Sequence, residues 1–133
     1  MHPAAAFVVV LLSACWLEPD PQAKPLKPEE AADKVGQKVV VEFLVRSTGE
    51  SRGNNKLFFL NSEKDFRSEK NFTVVIDGKL LEKFAKAGVA DPRTYYIHEV
   101  IRVTGTVSLY QNKPQIRVEG PEQIEVVRKA PTK

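Results

Sequence analysis

The chain has 133 residues, enough for one domain and a leader but not for two domains. Its formal charge of +3 comes from 20 Lys and Arg set among 17 Asp and Glu, so a dedicated polyanion binder is disfavoured unless folding gathers the bases on one face. The single cysteine, Cys15, precedes the domain, which leaves the folded part without a disulfide, a thiol nucleophile or a thiolate metal site.

Residues 3–14 are an apolar run of the size of a signal-peptide core, too short to span a bilayer as a helix. The run ends in Leu12-Ser13-Ala14-Cys15, which resembles the bacterial lipobox. That resemblance implies a signal peptide over 1–14, cleavage before Cys15, and a diacylglyceryl group on its thiol. The protein would then be lipid-anchored in the bacterial cell envelope, facing the periplasm or the exterior. The Met1-His2-Pro3 start carries no Lys or Arg, a departure from such signals, and an ordinary secretory signal is the alternative. Residues 15–28 follow as a tether whose four prolines deny it a helix ladder. At about 3.1 Å per residue such a segment reaches roughly 40 Å from a membrane surface.

The domain is expected over 29–128, with a disordered tail at 129–133. Residues 28–36 have Pro at a helix start, acids in the first turn and Gly at the end, the signature of a short capping helix. Residues 38–46, KVVVEFLVR, alternate with Val39, Val41, Phe43 and Val45 on one face, a first strand. A polar loop is expected at 48–55, a second strand at 56–61 and a charged loop at 62–71. The third strand is 72–76, FTVVI. Asp77 reads as the N-cap of a helix over 78–87, with Leu80, Leu81, Phe84 and Ala87 on one stripe and Gly88 as terminator. Residues 90–96 read as a loop.

The closing hairpin is the strongest pattern in the chain. Ile101, Val103, Gly105, Val107 and Leu109 share one face, Gln111 to Pro114 reverse the chain, and Ile116 and Val118 resume the apolar row. Gly120-Pro121 bends this arm before Ile124 and Val126. Gly105, inside an apolar row, marks sharp coiling or the close approach of another group.

Three strands, a helix and two strands make the oligonucleotide/oligosaccharide-binding (OB) fold: mainly β, a five-stranded Greek-key barrel with a short N-terminal helix. The stretches GQKVVVE at 36–42, FLN at 59–61, FTVVI at 72–76, RVTG at 102–105, KPQI at 113–116 and PEQIEV at 121–126 resemble small secreted bacterial OB domains of the tRNA-anticodon-binding type. The resemblance spans about 29–127. It departs at Ile97-His98-Glu99, where such domains often carry a short glycine turn.

Phe58 and Phe59 are consecutive in a strand, so one of them faces outward, where OB domains stack bases or sugars. Tyr110 is a second aromatic candidate. Arg46, Arg52, Lys56, Lys64, Arg67, Lys113 and Arg117 are the candidate bases. Together they make a platform for single-stranded nucleic acid, opposed by Glu50, Glu63, Asp65 and Glu69 among the same residues. The alternative is an envelope module that binds protein, glycan or a small ligand, with the outward Phe covered by the N-terminal helix or the 62–71 loop. His98, the one histidine of the domain, has no partner set for metal or base chemistry. No catalytic constellation is recognisable. A monomeric, non-catalytic module without cofactor or metal is expected. Asn71-Phe72-Thr73 matches a glycosylation acceptor, but Thr73 is better explained as strand.

Overall fold

The computed structural model describes residues 24–127. The expected signal peptide, the lipidation site Cys15 and the 129–133 tail lie outside the described residues. The strands are β1 Lys38–Leu44, β2 Ser47–Glu50, β3 Leu57–Asn61, β4 Thr73–Asp77, β5 Val100–Tyr110, β6 Lys113–Val118 and β7 Ile124–Val126. Two short helices, α1 Leu81–Lys86 and α2 Pro92–Tyr96, fall between β4 and β5. The seven strands form one sheet in the order β1-β5-β6-β4-β3-β2, with β7 on β5. The β4–β6 pair is parallel and all the others are antiparallel.

The strand count differs from the expected five because the first strand is interrupted and the last bend starts a new strand. The two ends of the sheet path, β1 and β2, are separated only by Val45 and Arg46. There the chain changes neighbours: Val45 N donates to Glu99 O and Arg46 N to Asn61 O, both at 2.9 Å. Strand β2 occupies the start of the expected 48–55 loop. Ser-Thr-Gly-Glu has no apolar alternation, and its strand form comes from the ladder with β3, Ser47↔Asn61 to Glu50↔Phe58.

The expected 90–96 loop contains α2 instead. Asp91 accepts a hydrogen bond from Arg93 N at 3.0 Å and Pro92 takes the first helical position, both ordinary helix-start signals. The expected 78–87 helix is a 3₁₀ turn, Gly78–Leu80, followed by α1. Asp77 caps the turn through Lys79 N, and Gly88 holds φ +93 past the end. The N-terminal helix is a 3₁₀ helix, Pro28–Lys34.

The core lies between the inner faces of the strands and is closed by Phe84 of α1. Val41, Val45, Leu60, Phe72, Ile76, Ile101, Val103 and Ile116 are fully buried, and Phe43 meets Phe72 edge-on at 5.4 Å. Gly105 is where the close approach occurs: a Cβ there would sit 2.5 Å from Ile116 Cγ2. Ahead of the 3₁₀ helix, Leu26 lies parallel to β1. Its N–H donates to Val40 O at 2.8 Å and its carbonyl accepts from Glu42 N at 2.9 Å. Pro25 and Pro28 flank it, and Pro28 has no N–H with which to continue that ladder. The end of the stretch read as tether is thus laid along the sheet, with Leu26 packed on the core. No helix among the described residues is long and apolar enough to cross a membrane.

Candidate functional site

The outer face of β2, β3, β4 and β6 is organised in rows, because residues directly opposite in a sheet share a face. One row runs Gly49, Phe59, Val75, Arg117 and the next Ser47, Asn61, Thr73, Gln115, continuing to Ser108 of β5. Over these rows lies a cleft of about 400 Å³, walled by the 62–71 loop on one side and the β5–β6 turn on the other. That turn is Gln111-Asn112, with φ +53 and +67, the mirror-image two-residue geometry that matches strand twist.

The cleft floor is polar and nearly saturated. Asn61 and Asn71 are 4% and 2% exposed. Asn61 Nδ2 donates to Ser47 Oγ at 3.2 Å, and Ser47 Oγ donates to Glu63 O at 2.7 Å. Thr73 Oγ1 donates to Asn61 Oδ1 at 2.9 Å and accepts from Asn71 Nδ2 at 2.9 Å. Asn71 Nδ2 also faces Asn61 Oδ1 and Phe66 O, both at 3.3 Å, while its Oδ1 accepts from Glu63 N at 3.0 Å. Every buried side-chain polar atom among the described residues has a partner, as low-dielectric burial demands.

The walls are aromatic. Phe59 is half-buried in the cleft, and Phe66 and Tyr110 are each 62% exposed at its mouth. The aromatic pairs among the described residues are Phe43–Phe72 and Tyr95–Tyr96, so these three rings do not stack on one another.

Three cations border the cleft: Lys64, Arg67 and Lys113. Arg67 pairs with Asp65 at 3.0 Å, which holds the Asp65 carboxyl below its ordinary range. Lys113 Nζ donates to two backbone carbonyls, Arg67 O at 3.0 Å and Phe66 O at 3.3 Å. The acid at the cleft edge, Glu50, is bridged by Lys56 and Arg93, each at 2.9 Å. The hydrogen bond from Lys56, with the charges of Lys56 and Arg93, holds its carboxyl below the usual value against the opposing effect of desolvation.

Of the residues named from the sequence, the structure brings Phe59, Lys64, Arg67, Tyr110 and Lys113 together. Phe58 faces the other way, 6% exposed in the core, with the Arg93 guanidinium 5.5 Å above its ring. Lys56 is spent on Glu50, and Arg117, in the same row as Phe59, reaches Asp77 at 3.5 Å. Arg52 is exposed on the turn between β2 and β3, outside the cleft lining, and Arg46 lines a separate hollow beside Pro28 and Lys70. His98 is exposed and holds φ +68, taking the conformation a glycine would otherwise supply.

Sequence reasoning missed Phe66 and the floor. Phe66 was legible as the lone apolar residue in a charged loop. Asn71 was noticed only as part of a glycosylation pattern and Thr73 only as a strand residue, and the burial of Asn71 closes that position to a glycan in the folded protein.

No protein-family model matches the chain, and no curated protein does. Among solved structures the chain is similar to the OBody AM1L10 bound to hen egg-white lysozyme, with 22% identity and a TM-score of 0.50 over 81% of this chain and 96% of that one. The OBody AM3L09, also bound to hen egg-white lysozyme, gives 20% identity and a TM-score of 0.49 over 82% of this chain and 100% of that one. A chain assigned as an aspartyl-tRNA synthetase from Leishmania major Friedlin gives 13% and 0.45, over 95% of this chain and 24% of that one. The first likeness speaks to the fold alone: mainly β and OB-like.

Proposed function

We propose that this chain is a non-catalytic OB-fold binding module that takes single-stranded nucleic acid in the cleft over β3, β4 and β6. In this reading β1 and β2 are one coiled strand broken at Val45-Arg46, which reduces the sheet to the five-stranded barrel with β7 as an addition. The chain is a monomer held to the cell envelope by lipid on Cys15 through the proline-rich segment.

The observation that carries the reading is the convergence of Phe59, Phe66 and Tyr110 on one cleft without pairing with one another. A base stacked on an aromatic ring is worth about 1–3 kcal/mol irrespective of its identity. The cleft volume of about 400 Å³ suits a short unstacked stretch and not a long bound strand. Charge contributes little. Arg67 is held in an ion pair and Lys113 by two loop carbonyls, so the dependence of log affinity on log salt has a slope of about −0.7 from Lys64, and no steeper than about −1.4 with Lys113 counted, for single strands.

A second reading, an envelope module for a glycan or another uncharged ring ligand, is favoured by the pairing of Lys56 and Arg117 and by the amide and hydroxyl floor. Anisotropy titrations of labelled single-stranded DNA and RNA separate the two. Micromolar binding with that shallow salt slope, lost in Phe59→Ala, supports nucleic acid. No binding at low salt ends that reading and leaves the glycan. Membrane fractionation tests the anchor: Cys15→Ser moves the protein to the soluble fraction, and its persistence in membranes would sink the lipidation.

A further inference from the structure

We propose that Phe66 is a stacking wall of the cleft and that Lys113 is the positioning residue that holds it there, acting on the loop backbone instead of on a ligand phosphate. The inference rests on the reading that the cleft takes unstacked bases.

Phe66 is the one apolar side chain in the charged 62–71 loop, and it is exposed beside Phe59 and Tyr110 instead of folding into the core. A lone exposed apolar residue needs no explanation; one of three rings around a common cleft does. The loop beneath it is tightly tied. Asp65 accepts from Arg67 N at 2.9 Å, Ser68 N donates to Asp65 O at 3.0 Å, and Asn71 N donates to Ser68 O at 3.1 Å. The Phe66 carbonyl is gripped twice, from below by the buried Asn71 amide and from the side by Lys113.

Lys113 is suited to that grip. It is the first residue of β6, set in place by the Gln111-Asn112 turn and paired across to Tyr110. An ammonium has three donors, and two of these point at the adjacent carbonyls of Phe66 and Arg67. Its stem therefore bridges the β5–β6 hairpin to the loop that carries the ring. Loss of this bridge frees the loop to move Phe66 out of register with Phe59, and the ligand feels Lys113 through that displacement.

The test is a double-mutant cycle on purified protein, read by anisotropy of a fluorescein-labelled oligothymidylate. Phe66→Ala and Lys113→Met each weaken binding about tenfold, and the double variant is no weaker than either alone, because both remove the same wall. The Lys113→Met salt slope equals that of the parent, and Lys113→Arg, which still donates to the carbonyls, restores affinity. Circular dichroism melts of the single variants confirm that they fold. Additive losses in the double variant, with a slope shallower by about 0.7 in Lys113→Met, would make Lys113 a phosphate contact and overturn the positioning role. An unaffected Phe66→Ala would overturn the wall. Failure of the parent itself to bind would remove the nucleic-acid reading and this inference with it.

Discussion

Asn71 and Asn61, ten residues apart, meet side chain to side chain at 3.3 Å beneath the cleft, both almost fully buried and both satisfied only by one another's neighbourhood. Asn71→Ala strips the Glu63 amide of its acceptor and Asn61 of a donor. Asn61 Oδ1 keeps the Thr73 hydroxyl, so the Glu63 amide is the group left orphaned. One such group costs about 1–3 kcal/mol, and the variant loses that much stability in urea unfolding. A loss under half a kcal/mol would mean that water replaces the amide without penalty.

Gly105→Ala lowers stability by about 1–3 kcal/mol, the usual range for forcing volume into a packed core. The added methyl would meet Ile116 Cγ2 at 2.5 Å and Gln123 Nε2 at 3.3 Å. Gln123 itself donates to Thr104 O at 2.8 Å, so it has little freedom to withdraw. Thermal melts by circular dichroism read the effect, and an unchanged midpoint counts against the contact.

His98 occupies the left-handed region at φ +68, between Val45, whose carbonyl accepts its N–H at 2.8 Å, and the start of β5. The left-handed conformation costs an L-residue about 1–2 kcal/mol, part of which a glycine returns in its own lost entropy. His98→Gly therefore stabilises by a few tenths to about 1 kcal/mol, and His98→Val, β-branched, destabilises. Guanidinium unfolding of the two variants gives opposite signs if the strain is present.

Acidification weakens the fold through Glu50, Asp91 and Asp65. Hydrogen bonds from Lys56, Arg93 and Arg67 respectively are the chief reason their carboxyls lie below the ordinary 4.5 and 3.8. A depressed carboxyl stabilises the folded state above its ordinary value, and that contribution is lost as pH falls through the folded-state value. Stability is thus flat near neutrality and declines below about pH 4.5 in a series of melts. Glu50→Gln makes the decline shallower. An identical profile for Glu50→Gln would show that the Lys56–Glu50–Arg93 bridge contributes nothing in solution, as many exposed pairs do not.

Much of this fold was legible because its strands alternate. Val41, Phe43 and Val45, and then Ile101, Val103, Gly105 and Val107, announce a buried face from spacing alone, and Gly105 announces its own crowding. Strand β2 was not legible, since Ser47 to Glu50 carry no apolar signal and are extended only because β3 lies alongside. Helix α2 was legible in principle, in the Asp91-Pro92 pair, but five residues are too few for a periodic stripe. At the site, Tyr110 could be named from parity in a strand, and parity said that one of Phe58 and Phe59 faces outward without saying which. The floor could not, because Ser47, Asn61, Asn71 and Thr73 acquire meaning only when three strands and a loop place them together. Lys56 and Arg117 failed as free bases for the same reason. Asp77 is 40 residues from Arg117 and meets it across the sheet, and Glu50, only six residues from Lys56, is brought to it by the turn between β2 and β3.

The pairing of β1 with β5 also orders events as the chain emerges. Glu42 and Arg102, joined at 2.7 Å, are separated by 60 residues, so β1 appears, at the ribosome or on the far side of a membrane, well before its partner. Until then only the β2–β3–β4 meander, whose neighbours are consecutive, can close its ladders. The floor of the cleft is built from that early piece, and its far wall at Tyr110 and Lys113 arrives last. A chain stopped before residue 100 would contain every residue of the Asn61–Asn71 network yet leave the apolar side of β1 bare. That interval is when a chaperone would find this protein.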